Sequence, residues 1–415
     1  MGSGPPQSRL NSRQLDAATR LWSTPLKALQ VVAGAGSGKT STLIAAVEEA
    51  ARQNFQPQRM AILTFSRRAA HELRDRLEVK NIRVGYCGTI HALAYRLLKD
   101  SGRTFSILKD SAALRASWLR QRHPHFEHLP TRVLARREFL TGDDASEWNT
   151  FFEGYLSERA LLDFDSLVTA ATRLPGLTGR FETVFVDEFQ DTSPDQADFI
   201  RSLNAAKYFV VGDDWQSIYA FRGADVSLTR NFKSLFGGSD RVFLLHNYRS
   251  ARHIVKLGNR AIRLSGDFVK KRLKATRSSA AKPVFFFARA ETAGAVWQKF
   301  LNKYLSLNKL PAVADLTVLV RTNALRRLIE AEAPEGLQVM TIHKSKGLEF
   351  DNVIVFGIAE NSMPHRDNVY DEEVRLLYVA MTRARHFLGF VGWENGQSRS
   401  KFIPFLMRHC RLIYL

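Results

Sequence analysis

A chain of 415 residues can hold two or three domains, and its 45% apolar and 24% charged content fits an ordinary globular protein. No run of 18 apolar residues is present, which excludes a membrane-spanning helix, and only two cysteines, Cys87 and Cys410, argue against a disulfide framework or zinc cluster and for a reducing, cytoplasmic setting. The formal net charge of +19 points to a polyanion partner, nucleic acid first, or else to a solvated basic surface.

In chain order, residues 1–9 are rich in Gly, Ser, Pro and Gln and are not expected to form a secretory signal. Short apolar runs then alternate with helical patterns. Residues 29–33, 60–65, 183–186, 208–211, 242–245, 284–287, 316–320, 338–342 and 353–356 read as buried strands. Several are apolar at every position, as parallel strands covered on both faces must be. The alternation predicts the α/β class with doubly wound sheets. Residues 92–160 contain no strand pattern and read as a helical insertion rich in Arg, His and aromatics. With a break near 240, the expected organisation is a first α/β domain over 1–91 and 161–240, the insertion over 92–160, and a second α/β domain over 241–415. The basic stretch 270–282 reads as an exposed loop, and the basic, aromatic tail 393–415 as the completion of the second core or a docking segment.

The first strand pattern runs into Gly34-Ala35-Gly36-Ser37-Gly38-Lys39-Thr40, and a helix pattern starts at Ser41. Glycines let the backbone wrap an anion so that successive N–H groups face it, and the helix N-terminus adds a favourable field. Lys39 is placed to reach the outer phosphates of a nucleotide and Thr40 to hold Mg²⁺. The strict pattern asks for Gly where Ala33 stands. The pattern 183–186 delivers Asp187 and Glu188 at a strand's C-terminal end, where ligands gather in open α/β sheets. Asp187 is assigned to the magnesium shell, and Glu188 to orienting and deprotonating the attacking water.

From Asp187 the sequence continues Asp-Glu-Phe-Gln-Asp-Thr, and residues 211–224 read Val-Gly-Asp-Asp-Trp-Gln-Ser-Ile-Tyr-Ala-Phe-Arg-Gly-Ala. Residues 10–14, 63–70, 88–92 and 162–167 add further motifs. In the second half come Asn247-Tyr248-Arg249-Ser250, then 340–350 (Met-Thr-Ile-His-Lys-Ser-Lys-Gly-Leu-Glu-Phe) and 377–385 (Leu-Tyr-Val-Ala-Met-Thr-Arg-Ala-Arg). In this order they resemble the UvrD/Rep family of superfamily 1 DNA helicases over almost the whole chain. The resemblance implies two RecA-like P-loop NTPase motor domains, with ATP and Mg²⁺ in the cleft between them and single-stranded DNA across the top.

The resemblance also implies roles. Gln14 would read the adenine edge, Tyr248 would stack on the base, and Glu349 would bind the ribose. Gln216 would sense the γ-phosphate. Arg249 and Arg383 would reach it from the second half, although each could instead form an interdomain salt bridge. The phosphate cradle would run from Ala33 to Ser41. On the strand, Phe221 takes the family's base-stacking place. Tyr219, Phe65 and Phe164 are further aromatic candidates, with core packing as their alternative. His91, His343, Arg67 and Arg222 would touch bases or phosphates, and the hydroxyls of Thr64, Thr89 and Thr341 would bind phosphate. Nothing here reads base edges, so binding is expected to be sequence-independent and salt-sensitive.

The family's 3′→5′ polarity comes with the resemblance alone. Departures are Trp215, where an acidic residue is usual, His246, Lys344, and the short turn at 333–336 where large members insert a second accessory domain. The expected function is an ATP-dependent 3′→5′ DNA helicase or translocase acting on single strands and junctions, in repair, recombination or mobile-element and defence biology, with weak or partner-dependent unwinding. The alternative is a DNA-stimulated ATPase that serves as a regulatory or sensor subunit beside a nuclease or repair factor.

Overall fold

The computed structural model describes residues 10–134, 142–278, 281–289, 292–307, 310–366, 368–394, 396 and 399–415. Its strands, in chain order, are β1 (Ala28–Ala33), β2 (Met60–Thr64), β3 (Tyr86–Thr89), β4 (Ser106–Ile107), β5 (Leu161–Leu162), β6 (Thr183–Val186), β7 (Lys207–Gly212) and β8 (Ser239–Leu244). They continue with β9 (His246–Ala251), β10 (Lys274–Arg277), β11 (Val284–Arg289), β12 (Leu316–Val320), β13 (Gln338–Thr341), β14 (Phe350–Ile358), β15 (Ala384–Glu394) and β16 (Arg411–Tyr414).

Two six-stranded sheets organise these, in the orders β3-β2-β6-β7-β1-β8 and β13-β12-β14-β15-β11-β16. All pairings within them are parallel, so the chain is an α/β protein of two RecA-like sheets. The apolar runs exist because each sheet has helices on both faces. In the first sheet Phe185 packs to one side with Leu43 and Val47, while its neighbours Val184 and Val186 pack to the other with Leu93 and Leu167. In the second, Val353 and Val355 join one core, and Ile354 and Phe356 the opposite one.

Three expectations are corrected. The run expected to open the second domain at 242 is β8, which pairs with β1 (Val242 opposite Val31) and closes the first sheet. The break near 240 therefore moves to Leu245. The stretch 270–282 is not simply an exposed loop: β10 pairs in parallel with β9, Leu273 is buried, and the Lys271 side chain is fully enclosed. Charge density hid this, because the lysine's partners lie far away in sequence. Finally, 92–160 does contain a strand. β4 pairs with β5 at the foot of the helices Ser111–Arg122 and Asp143–Glu158, but two residues are too short to show a period.

The tail completes the second core as expected. Ile403 and Leu406 are buried in it, and β16 pairs with β11. Between the helix Asn323–Ala331 and β13, residues 332–337 form only a short turn.

Candidate nucleotide and strand site

β1 stops at Ala33 and the helix Lys39–Arg52 starts one tight loop later. Gly36 and Gly38 take positive φ angles of 65° and 82°. A Cβ on Gly36 would stand 2.6 Å from the Arg249 Cβ, and one on Gly38 would stand 2.3 Å from Gln14 Nε2. These two glycines therefore admit two side chains from other parts of the fold as well as an anion. Gln14 Nε2 donates to the Ser37 carbonyl at 3.0 Å. The second half grips the same loop: Tyr248 N donates to Gly36 O at 2.8 Å, and Asn247 Nδ2 to Ala35 O at 2.6 Å.

A cleft of about 560 Å³ opens over this loop. Gln14, Gly36 to Ser41, Asp187, Glu188, Gln216, Tyr248, Arg249, Glu349 and Arg383 all line it. Ala33, Gly34 and Ala35 lie behind this lining. Ala33 pairs with Leu244 inside the sheet, Gly34 faces Leu273, and the Ala35 side chain is core.

β6 carries Asp187 and Glu188 into the cleft. Glu188 sits in the left-handed region at φ 52°, a strained conformation for a residue with a side chain. Burial and the adjacent Glu188 carboxylate push Asp187 up to about 7. Burial opposes the charge on Glu188 too, but Lys39, Lys346 and a hydrogen bond from Gln190 outweigh it and hold that carboxylate below its ordinary value. The two acids are thus driven apart, leaving Glu188 ionised.

Gln190 ties this carboxylate to the sensor loop. Its Nε2 donates to Glu188 Oε2 at 2.5 Å, and its Oε1 accepts from Asp213 N at 2.8 Å. Asp213 Oδ2 in turn accepts from Gln216 Nε2 at 2.5 Å, and Gln216 Oε1 accepts from Arg383 Nη2 at 3.2 Å. Lys346 crosses from the second half to Asp191 at 2.5 Å and to the Gln216 carbonyl at 2.8 Å. An unbroken polar chain therefore joins the acid beside the phosphate loop to an arginine of the other domain. Arg383 is buried, and burial together with Arg249 pulls it down to about 9. Arg249 and Arg385 both ion-pair with Glu349. Burial alone would raise Glu349, but these guanidinium groups hold it low.

The strand-facing residues form a second cluster on the same loop. Phe65 stacks on Tyr219 with ring centroids 4.8 Å apart, and Phe221 meets His343 edge-on at 5.4 Å. Arg222 lies over both Tyr219 and Phe221, and Lys346 lies over Tyr219 at 4.8 Å. Phe221 is 65% exposed, far beyond a core residue. His91 and Phe164 make a separate edge-to-face pair at 5.6 Å, with Phe164 55% exposed, and Arg67 is exposed at the start of the helix Arg67–Glu78. The threonines end β2, β3 and β13. The Thr64 hydroxyl is sealed from solvent, and those of Thr89 and Thr341 accept the helix-capping bonds of Ala92 N and Lys344 N. Thr89 and Thr341 thus cap helix N-termini as acceptors, and each hydroxyl keeps its O–H to donate.

Several residues in or behind the cleft carry no individual role in the sequence motifs. Gln190, Asp191, Lys346 and Arg385 lie inside those motifs, whose spacing was visible but whose mutual contacts were not. Glu72, Arg76 and Arg277 also line the cleft, and nothing local marks them.

A P-loop at the C-terminal end of a strand in one parallel sheet, closed by arginines from a second domain, defines a two-domain nucleoside triphosphatase of the RecA-like motor class. Residues 10–129 and 136–237 match the UvrD/REP helicase N-terminal domain, and residues 331–394 match the UvrD-like helicase C-terminal domain. The chain belongs to the UvrD/Rep helicase family and is an ATP-dependent DNA helicase of the UvrD type. It is 28% identical to a probable DNA helicase of Mycoplasma pneumoniae, over 87% of this chain and 80% of that one. It is 27% identical to DNA helicase IV of Escherichia coli, over 91% and 68% of the two chains. It is 30% identical to the ATP-dependent DNA helicase PcrA of Leuconostoc citreum, over 77% of this chain but only 48% of PcrA.

Proposed function

We propose that this helicase is a 3′→5′ translocase on single-stranded DNA that steps by opening and closing the cleft and separates duplex weakly when alone. The observation that carries the reading is the polar chain Glu188–Gln190–Asp213–Gln216–Arg383, which leads from the hydrolytic carboxylate, through the loop that bears Tyr219 and Phe221, into the second domain. Any shift of Arg383 on phosphate release must move that loop, and with it the aromatic faces on which bases stack.

Within the cleft, Gln14 and Tyr248 receive the base, Lys39 and the amides of residues 36–41 cradle the phosphates, and Glu188 takes a proton from the attacking water. Arg249 and Arg383 stabilise the transferring charge. Glu349 is committed to Arg249 and Arg385, so it meets the ribose only if those pairs loosen. The donor set fits Mg²⁺ brought in with nucleotide: Asp187 is a buried carboxylate that lines the same cleft as Thr40, and among the described residues its one bonded donor is Glu188 N. Bound there with Thr40 and Asp187 as ligands, the ion supplies charge neutralisation at the outer phosphates. Weak unwinding follows from the short turn at 332–337, which leaves no second accessory domain there to hold a duplex.

ATP turnover with and without single-stranded DNA, for the wild type and Glu188→Gln, tests the motor. Large stimulation that vanishes in the variant is expected, and no stimulation despite ATP binding would favour a partner-controlled switch instead. Displacement of streptavidin from a 5′ rather than a 3′ biotin tests direction, and vigorous unwinding of a fork at low enzyme would overturn the weak-unwinding clause.

A further inference from the structure

Between Ser250 and Lys282 the only acidic residue is Asp267, against a long series of lysines and arginines. Asp267 is spent on Arg230. The helix Arg252–Ala261 buries Ile254, Val255, Leu257 and Gly258. Arg252, Lys256 and Arg260 follow at i, i+4 and i+8 on its opposite face, and Arg263 extends their line. The row is exposed, rigid and about 16 Å long from helical rise. None of these four cations is in an ion pair among the described residues.

The row is widened on both flanks. On one side Asn259 exchanges two hydrogen bonds with the backbone of Leu273, at 2.8 and 2.9 Å, and this fixes the strap that carries exposed Lys270 and Arg272. On the other, Arg260 meets His409 of the last helix at 3.4 Å. So many like charges on one face repel each other and cost stability unless a polyanion is there to meet them.

Among the described residues, none of the row's side chains touches the strand-gripping rings of Phe65, Tyr219, Phe221 and His343. The basic row borders β8 and β16, an edge strand of each sheet. Its strap lies beside Val242 and Phe243 of β8, and its His409 contact leads into β16.

We propose that the row Arg252–Lys256–Arg260–Arg263, with Lys270 and Arg272, is a second DNA surface that holds the phosphate backbone of duplex DNA. Duplex is favoured over single strand because the row offers a straight line of cations with none of the exposed aromatic faces that single-strand grooves use. It would supply this compact chain with a duplex hold that lies outside the motor groove. It rests on the family's DNA substrate but not on the translocation reading.

The test is the triple variant Arg252→Gln/Lys256→Gln/Arg260→Gln, with Lys270→Gln/Arg272→Gln as an independent second variant. Binding to a short blunt duplex and to a single strand is measured by anisotropy across a salt series, alongside ATPase stimulated by single-stranded DNA. For the triple variant, the duplex log–log salt slope should become shallower by roughly 2.7, for three lost phosphate contacts. The strap variant should lose less, while single-strand affinity and stimulated ATPase hold in both. Equal losses on duplex and single strand would make the row part of the motor groove and overturn the proposal. Unchanged duplex binding in both variants would also overturn it, and would leave an acidic protein or bare solvent facing the row. Lost ATPase stimulation in the wild type would instead count against the translocase reading.

Discussion

Lys271 and Asp213 form an ion pair at 2.9 Å in which neither side chain reaches solvent. Asp214 joins the same ammonium group, which also sits 4.4 Å from the Trp215 ring centre. Trp215, the departure from the family's acidic residue, is itself fully buried, edge-on to Tyr378 at 5.3 Å, and donates to Val269 O. The strap of the second half is thus locked onto the loop whose Asp213 holds Gln216.

Lys271→Met leaves two buried carboxylates without their cation. Breaking a buried pair in this way costs about 3–5 kcal/mol. Urea denaturation should show that loss. Single-strand stimulation of ATPase should fall more than the basal rate, because Gln216 loses its fixed partner. Stability equal to wild type would show that the pair is not closed in solution.

Gln190→Met should lower kcat and leave KM for ATP nearly unchanged. A hydrogen bond to a charged group is worth about 1.5–3 kcal/mol, so the expected fall is roughly 10- to 150-fold. Steady-state kinetics at saturating DNA would check it. A rise in KM alone would mean that Gln190 serves binding rather than the position of Glu188.

Phe221→Ala should weaken single-strand binding by roughly 5- to 150-fold, the worth of about 1–3 kcal/mol of base stacking. ATP affinity without DNA should not change, since the ring is mostly in solvent and lines no part of the cleft. Phe164→Ala tests the exposed ring of the separate His91 pair in the same way. Titration with a labelled homopolymer reads both.

His343 gives the pH prediction. Burial and Arg321 lower it to about 4, against an ordinary value near 6.5. Between these values the unfolded chain binds the extra proton, so stability falls as pH drops from 6.5 toward 4. His343→Gln removes this contribution. Melting curves at pH 7.5 and 5.5 should show a smaller acid loss for the variant than for the wild type, and equal losses would place the histidine in solvent.

The sequence alone determined the two parallel sheets and the phosphate loop. Buried parallel strands must be continuously apolar, and a loop that wraps phosphate needs glycine and lysine at fixed places, so both leave local marks. It also marked Asp187, Glu188, Gln216, Arg249 and Arg383 through motifs that resemble a known family. Tertiary structure decided what no local pattern records. β8 belongs to the first sheet because Val242 finds Val31, more than two hundred residues away. Lys271 is buried because two carboxylates from the other domain meet it. The hydroxyls of Thr64, Thr89 and Thr341 turned inward or became helix caps, and Glu349 was claimed by Arg249 and Arg385. In each case the outcome depends on partners distant along the chain. Residue type tells what a side chain can do, and the packing of the two domains decides which of those things it does.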